Sequence, residues 1–384
     1  MWHTALLRLQ IQPDNFRYLT HALPENNPKD PKCRNLLTNI EGISTIGQHY
    51  NGKYSRDGVT AYFTSNKINL GKGNECTAYQ AYVHVNFAKL MTRDEHVDLP
   101  YPEHTPEILS KLEACLKDIF AEYEPPYKGR GRKPKRGIKS LDALEVSRID
   151  YTTQIEGLTQ DEINAYIRCL NKGDLSKLNP ERTKKGYTGM FKGSAYMRAK
   201  TVTVNIYDKA DEMRNKKRST SDIKAAEGVL RIEIQCKRPK ITHICKQHNI
   251  KPTLQNLMNP AISKEVISYY LETIGGTHDY LRADKAAHLI KASDNTPKTM
   301  EHMIFIPKYL NNNKTARLSE AKEALKETTS QSTVDRTIKA LKAIEINPVT
   351  LPVNSQIRTL PNLLTVVQEH WKAEESIDHT SLPW

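Results

Sequence analysis

The chain contains no run of 18 apolar residues, so no segment is long enough to be read as a membrane helix. Its opening stretch, Met1 to Gln12, mixes Trp2, His3 and Arg8 with aliphatics. It lacks the basic-then-apolar order of an export signal, so none is expected. Six cysteines are scattered without a single C-x-x-C pair. That spacing excludes a zinc finger and favours reduced thiols in a cytoplasm. No Walker A string and no G-x-G-x-x-G is present, which removes the usual nucleotide cradles. His-x-His is also missing, and no internal repeat of fixed period is visible.

What is abundant is positive charge. The 384 residues carry a net charge of +13 at pH 7, with a pI near 9.2. Such a field attracts an acidic polymer, and nucleic acid is the commonest one in a cytoplasm. The charge is clustered. Residues 125–139 read PPYKGRGRKPKRGIK, with seven Lys or Arg and no acid. This stretch cannot form a core and reads as a linker or arm. A second basic run, Arg182 to Lys200, is interleaved with Tyr187, Phe191 and Tyr196, the mixture expected of a single-strand groove.

Length allows two or three domains. Leu6 to Ile11 alternates as a strand, and residues 22–40 read as a loop. Gly58 to Phe63 and Ala78 to Val85 read as further strands. Thr105-Pro106-Glu107 starts a helix, with Thr105 as cap. Strands are predicted at 145–152, 201–208 and 229–236. A helix over 160–171 opens with a Thr159/Glu162 capping box. Asp211 to Lys224 reads as helical, and Pro260 to Thr273 as a helix ending at Gly275-Gly276. An amphipathic pair, 315–327 and 333–344, follows, with Ser332 and Asp335 as a capping box for its second member. A further helix is expected near Asn362 to Trp371. The reading is α+β: a central antiparallel sheet with flanking helices, then a C-terminal helical, helix-turn-helix-like domain. The domains are placed at 1–124, 125–140 (the basic arm), 141–275 and 276–384.

Face analysis singles out chemistry on three strands. Period-2 alternation sets Thr203, Asn205 and Tyr207 on one face and Val202, Val204 and Ile206 on the other. Arg231 and Glu233 likewise oppose Leu230, Ile232 and Ile234, and Arg148 and Asp150 oppose Ile149. If the strands are neighbours, these polar faces merge into one open surface. Asp150 and Glu233 offer hard oxygen ligands for Mg²⁺ or Mn²⁺, which would polarise a phosphodiester. Tyr207 is a poor nucleophile while neutral, and a nearby cation favours its phenolate. Lys209, two residues on, would share its side in an extended chain. Arg148 and Arg231 would grip phosphate oxygens. Against this, an Arg-x-acid string is ordinarily a solvated strand face with a cross-strand partner. A lone tyrosine among 18 is more often packing. His84 is a weak candidate for a third metal ligand.

The order Val146-Ser147-Arg148-Ile149-Asp150, then Val204-Asn205-Ile206-Tyr207-Asp208-Lys209, then Val229-Leu230-Arg231-Ile232-Glu233-Ile234 resembles rolling-circle replication initiators. The likeness is to the gene II type of filamentous phages and to plasmid initiators and relaxases of the Rep_trans kind. Val83 to Leu90, read as one strand, and Ser330 to Asn347 also resemble segments of the phage proteins. The resemblance implies an origin-specific endonuclease and ligase acting on single-stranded or supercoiled DNA. It makes Tyr207 the nucleophile that stays joined to the 5′ phosphate and frees a 3′-OH. It makes Asp150 and Glu233 metal ligands, gives Lys209 the place of the lysine after the tyrosine, and implies host helicase or replication proteins as partners. Ile206-Tyr207-Asp208-Lys209 lies nearer the plasmid type, and the paired-histidine strand of many tyrosine nickases is missing. Tyr196 is a rival nucleophile, a second one, or a base-stacking aromatic.

Arg130, Arg132, Lys133, Lys135 and Arg136 form either a minor-groove arm or a phosphate clamp. The second helix of the C-terminal pair would offer Thr333, Arg336, Thr337 and Lys339 to a groove. Two other readings stay open: a non-catalytic DNA-binding regulator or degenerate initiator, and a metal-free tyrosine recombinase.

Overall fold

The computed structural model describes residues 1–11, 49–56, 58–69, 75–92, 99–121, 137–138, 140–174 and 193–375. The basic arm residues Arg130, Arg132, Lys133, Lys135 and Arg136, and the 182–192 part of the second basic run, lie outside them. Among the described residues no helix is long and apolar enough to cross a membrane.

The architecture is α+β, an antiparallel sheet with helices and a helical C-terminal region. Four strands open the chain: β1 (Trp2–Ile11), β2 (His49–Arg56), β3 (Val59–Asn69) and β4 (Glu75–Asn86). Helices α1 (Phe87–Thr92) and α2 (Thr105–Ile119) precede β5 (Glu145–Ile155) and α3 (Gln160–Asn171). Then come β6 (Ser194–Arg198), β7 (Val202–Asp208), α4 (Lys209–Asn215), α5 (Thr220–Ala225) and β8 (Leu230–Lys237). Helices α6 (Arg238–His248), α7 (Leu254–Leu257) and α8 (Pro260–Gly275) lead to the short β9 (Tyr280–Leu281). Helices α9 (Ala283–Lys291), α10 (Pro297–Asn312), α11 (Leu318–Lys326) and α12 (Gln331–Ala343) follow, then β10 (Thr359–Leu360) and α13 (Leu363–Glu374).

Two compact units divide the chain. Among the described residues the first holds Met1–Tyr151 and Gln235–Ser263, and the second Thr152–Ile234 and Lys264 onward. In the first unit the strands run β2-β3-β4-β1-β5. The β2–β3, β3–β4, β4–β1 and β1–β5 pairs are antiparallel. The β1–β5 ladder is irregular twice. Trp2 pairs with Tyr151 and Ala5 with Ile149, so β1 carries one extra residue between them. That bulge keeps Trp2 and Ala5 on the Ile149/Tyr151 face and re-aims Thr4. In the second unit the order is β5-β8-β7-β6, with β6 and β7 antiparallel. There β5, β8 and β7 are neighbours, and α8 from Lys264 onward and helices α9 to α13 belong to the same unit.

Several local expectations are corrected. Ala88, Lys89 and Leu90 do not continue a strand; they lie in α1, where the Asn86 side chain accepts from the Lys89 N–H. Residue 105 is the first helical position of α2 and His104 its cap. The charged stretch after Tyr207 is two helices, broken where Lys217 adopts φ 54°. Helix α12 starts two residues early because Ser330, not Ser332, accepts from the Thr333 N–H. The Thr159/Glu162 capping box of α3 forms as read.

Candidate active site

The strand faces that carry the chemistry are not open. In the second unit, Tyr207 on β7 is 6% exposed, and Glu233 and Arg231 on β8 are 5% and 1% exposed. Alternation told which residues share a face but assumed that one face meets water. Here nearly every residue of both strands is covered.

Tyr207 donates its hydroxyl hydrogen to Glu233 Oε1 at 2.7 Å. Burial, then the Glu233 charge, push the Tyr207 hydroxyl well above its ordinary pKa, with Arg231 opposing. The phenol therefore keeps its proton, already aimed at a carboxylate. Lys209 does not reach this region by extended-chain geometry, because β7 ends at Asp208 and α4 begins at Lys209. The turn still sets its Nζ 6.0 Å from the centre of the Tyr207 ring, within cation–π range. Lys209 Nζ also donates to Glu212 at 2.8 Å, one turn along α4. Burial first, then the Arg231 charge, bring its pKa down to about 8, with Glu212 opposing.

Two residues outside the sequence reading hold this geometry. Asp208 caps α4, accepting from the Ala210 and Asp211 N–H groups at 2.9 and 3.2 Å, while Gln160 donates to its other oxygen at 2.8 Å. Gln154 on β5 accepts from Arg231 Nε at 3.2 Å and from its Nη2. The guanidinium expected to grip phosphate is thus inside the protein, engaged by an amide. Only an Asx-cap pattern at Asp208 was readable in advance. The Gln154 partner depends on strand pairing. Tyr196 on β6 pairs across from Asn205 and so shares a sheet face with Tyr207.

In the first unit a second polar cluster forms around Asp150, which is 2% exposed. Arg148 Nε lies 3.0 Å from Asp150 Oδ1, and the Thr4 hydroxyl donates to Oδ2. Arg148 Nη2 also donates to Thr4 Oγ1 at 3.0 Å and lies 3.4 Å from His84 Nε2. Burial, then the charges of Arg148, His3 and Lys89, push His84 down to about pKa 3. It is a neutral imidazole whose Nε2 faces a cation. Among the described residues no three His, Cys, Asp or Glu side chains come together as a metal-holding group. Arg336 and Lys339 are exposed on α12, whereas Thr337, expected at a groove, is 2% exposed. Its hydroxyl donates back to the Thr333 carbonyl at 2.9 Å.

Residues 111–256 match the sequence model of the Phage_CRI family, described as the N-terminal region of the gene II replication-associated protein. The match makes this stretch similar to phage replication-associated proteins. It covers less than half of the chain and contains Arg148, Asp150, Tyr207, Lys209, Arg231 and Glu233, leaving His84, Arg336 and Lys339 outside. No curated protein and no solved structure matches.

Proposed function

We propose that this chain is an origin-specific DNA endonuclease and strand-joining enzyme that starts rolling-circle replication through a tyrosine–DNA intermediate. The observation that carries the reading is the Tyr207–Glu233 hydrogen bond beside the Lys209 ammonium, inside the stretch matched to replication-associated proteins. The Tyr207 oxygen attacks the phosphorus of one phosphodiester. The bond from phosphorus to the 3′ oxygen breaks, the tyrosine keeps the 5′ phosphate, and the 3′ oxygen takes up a proton to become the primer hydroxyl. The proton leaving Tyr207 already points at Glu233 Oε1. Reversal by the 3′-OH rejoins the strand.

Divalent metal is part of the proposal. Asp150 in the first unit and Glu233 in the second are each proposed as a carboxylate ligand for Mg²⁺ or Mn²⁺, and each would have to exchange a present partner, Arg148 and Thr4 for Asp150 and Tyr207 for Glu233, to take that role. Such an ion supplies polarisation of the scissile phosphate. Origin DNA, single-stranded or supercoiled, is the proposed substrate. The basic arm through Arg130 to Arg136, with Arg148, would contribute phosphate contacts, and host helicase or replication proteins would follow the nick.

The burial of Tyr207 and the engagement of Arg231 favour the second reading, a DNA-binding initiator that has lost cleavage. Supercoiled origin DNA with Mn²⁺ separates the two. The first reading expects a covalent protein–DNA adduct that Tyr207→Phe abolishes while DNA binding persists. An adduct undiminished by Tyr207→Phe sinks the assignment, and binding without any adduct favours the second reading.

A further inference from the structure

The C-terminal helices carry a charged surface that the nicking reading does not use. Helices α11 and α12 are joined by four residues, Glu327 to Ser330, and both pack against α10. The pair is pinned within its own unit. The Leu318 N–H donates to the Lys172 carbonyl at 2.9 Å, and Lys322 is ion-paired with Asp174. Leu318, Ala321 and Leu325 of α11, and Val334, Thr337 and Leu341 of α12, are buried. At 100° per residue, Ser332, Asp335, Arg336, Lys339 and Lys342 fall on the opposite arc of α12. All five are exposed, and the Gln331 amide donates to Asp335 at 3.0 Å. None of the three cations is paired with an acid among the described residues.

We propose that α11 and α12 form a helix-turn-helix that binds double-stranded DNA, with Arg336, Lys339 and Lys342 of α12 toward the duplex. Three helices packed together, a four-residue turn and a second helix with a solvent-facing cationic arc meet the geometric needs of this motif. The occupant follows from charge: three cations spaced three residues apart on a +13 chain match a phosphate backbone and base edges rather than an apolar partner. This surface would hold duplex beside the origin, separately from any strand cleaved at Tyr207. The inference does not depend on catalysis.

The test uses the full chain and two labelled probes, a 30-base-pair duplex of mixed sequence and a 20-nucleotide single strand. Binding is followed by fluorescence anisotropy between roughly 50 and 250 mM KCl. The double variant Arg336→Ala/Lys339→Ala alters exposed positions only, and its melting temperature is checked against the parent chain. We expect duplex affinity to fall about tenfold near 100 mM salt and the slope of log K against log salt to shrink by about 2. Single-strand binding should change less than twofold. The charge-keeping Arg336→Lys/Lys339→Arg variant should retain most duplex binding. Unchanged duplex affinity and slope overturn the proposal, and so does an equal loss on both probes. Neither readout involves an adduct, so failure here and failure of the nicking reading are distinguishable.

Discussion

Tyr207→Phe is expected to destabilise the protein even where no DNA is present. The substitution keeps ring and volume and deletes one hydroxyl. That hydroxyl donates to Glu233 Oε1 at 2.7 Å, with both side chains at least nine-tenths buried. A hydrogen bond to a charged acceptor contributes about 1.5–3 kcal/mol, and its loss leaves a carboxylate oxygen facing a hydrocarbon edge. The expected loss is therefore about 1.5–3 kcal/mol at pH 7. Glu233→Gln removes the charge but keeps an amide oxygen that can accept, so it should cost less, roughly 0.5–1.5 kcal/mol. The two residues touch, so their effects should not add. A coupling of about 1–2 kcal/mol is expected in a double-mutant cycle. Urea unfolding of the four proteins at 25 °C, followed by circular dichroism, supplies the numbers. A Tyr207→Phe loss below about 0.5 kcal/mol, together with additive effects within error, would refute the reasoning from this bond.

Two further outcomes rest on other parts of the fold. His84 should stay neutral from pH 8 down to pH 5, because burial and the facing Arg148 hold it near pKa 3; ¹⁵N NMR of the imidazole that finds a midpoint between 5 and 7 would contradict this. A Cβ added at Gly173 would stand 2.1 Å from the Ile274 carbonyl oxygen, whereas one at Gly157 meets nothing within 4 Å despite φ +75°. Gly173→Ala should therefore cost roughly 2–3 kcal/mol by overpacking, against about 1 kcal/mol of backbone strain for Gly157→Ala, and equal thermal shifts would exclude that explanation.

The parts of this protein that were legible in its sequence are those encoded within a few residues. The Thr159/Glu162 box announced α3, and Asn362 marked the start of α13. Alternation placed Tyr207 and Glu233 on polar strand faces, and in the structure the two side chains meet. What alternation could not give was depth: a period of two names a face but not what covers it. The open surface was therefore an error, and Arg231 is a buried partner of Gln154. The Thr4 contact to Asp150 was hidden for a related reason. It needs the extra residue in β1, and bulges arise from pairing between distant strands. Helix α6, with Lys, His and Gln mixed among its aliphatics, gave too weak a stripe to be noticed, although Ile241, Ile244 and Cys245 are buried at helical spacing. Lys209 was placed near Tyr207 by an argument the α4 start removes, and reaches it through the turn instead.

The most direct test of the central claim is to trap the protein on origin DNA with Mn²⁺, digest both polymers, and locate the nucleotide mass by tandem mass spectrometry. Cleavage after Lys200 and Lys209 isolates Tyr207 in the peptide running from Thr201 to Lys209. Cleavage after Lys192 and Arg198 leaves Tyr196 in another. The account predicts a 5′-linked nucleotide on Tyr207. The same mass on the Tyr196 peptide, or on neither, would contradict it.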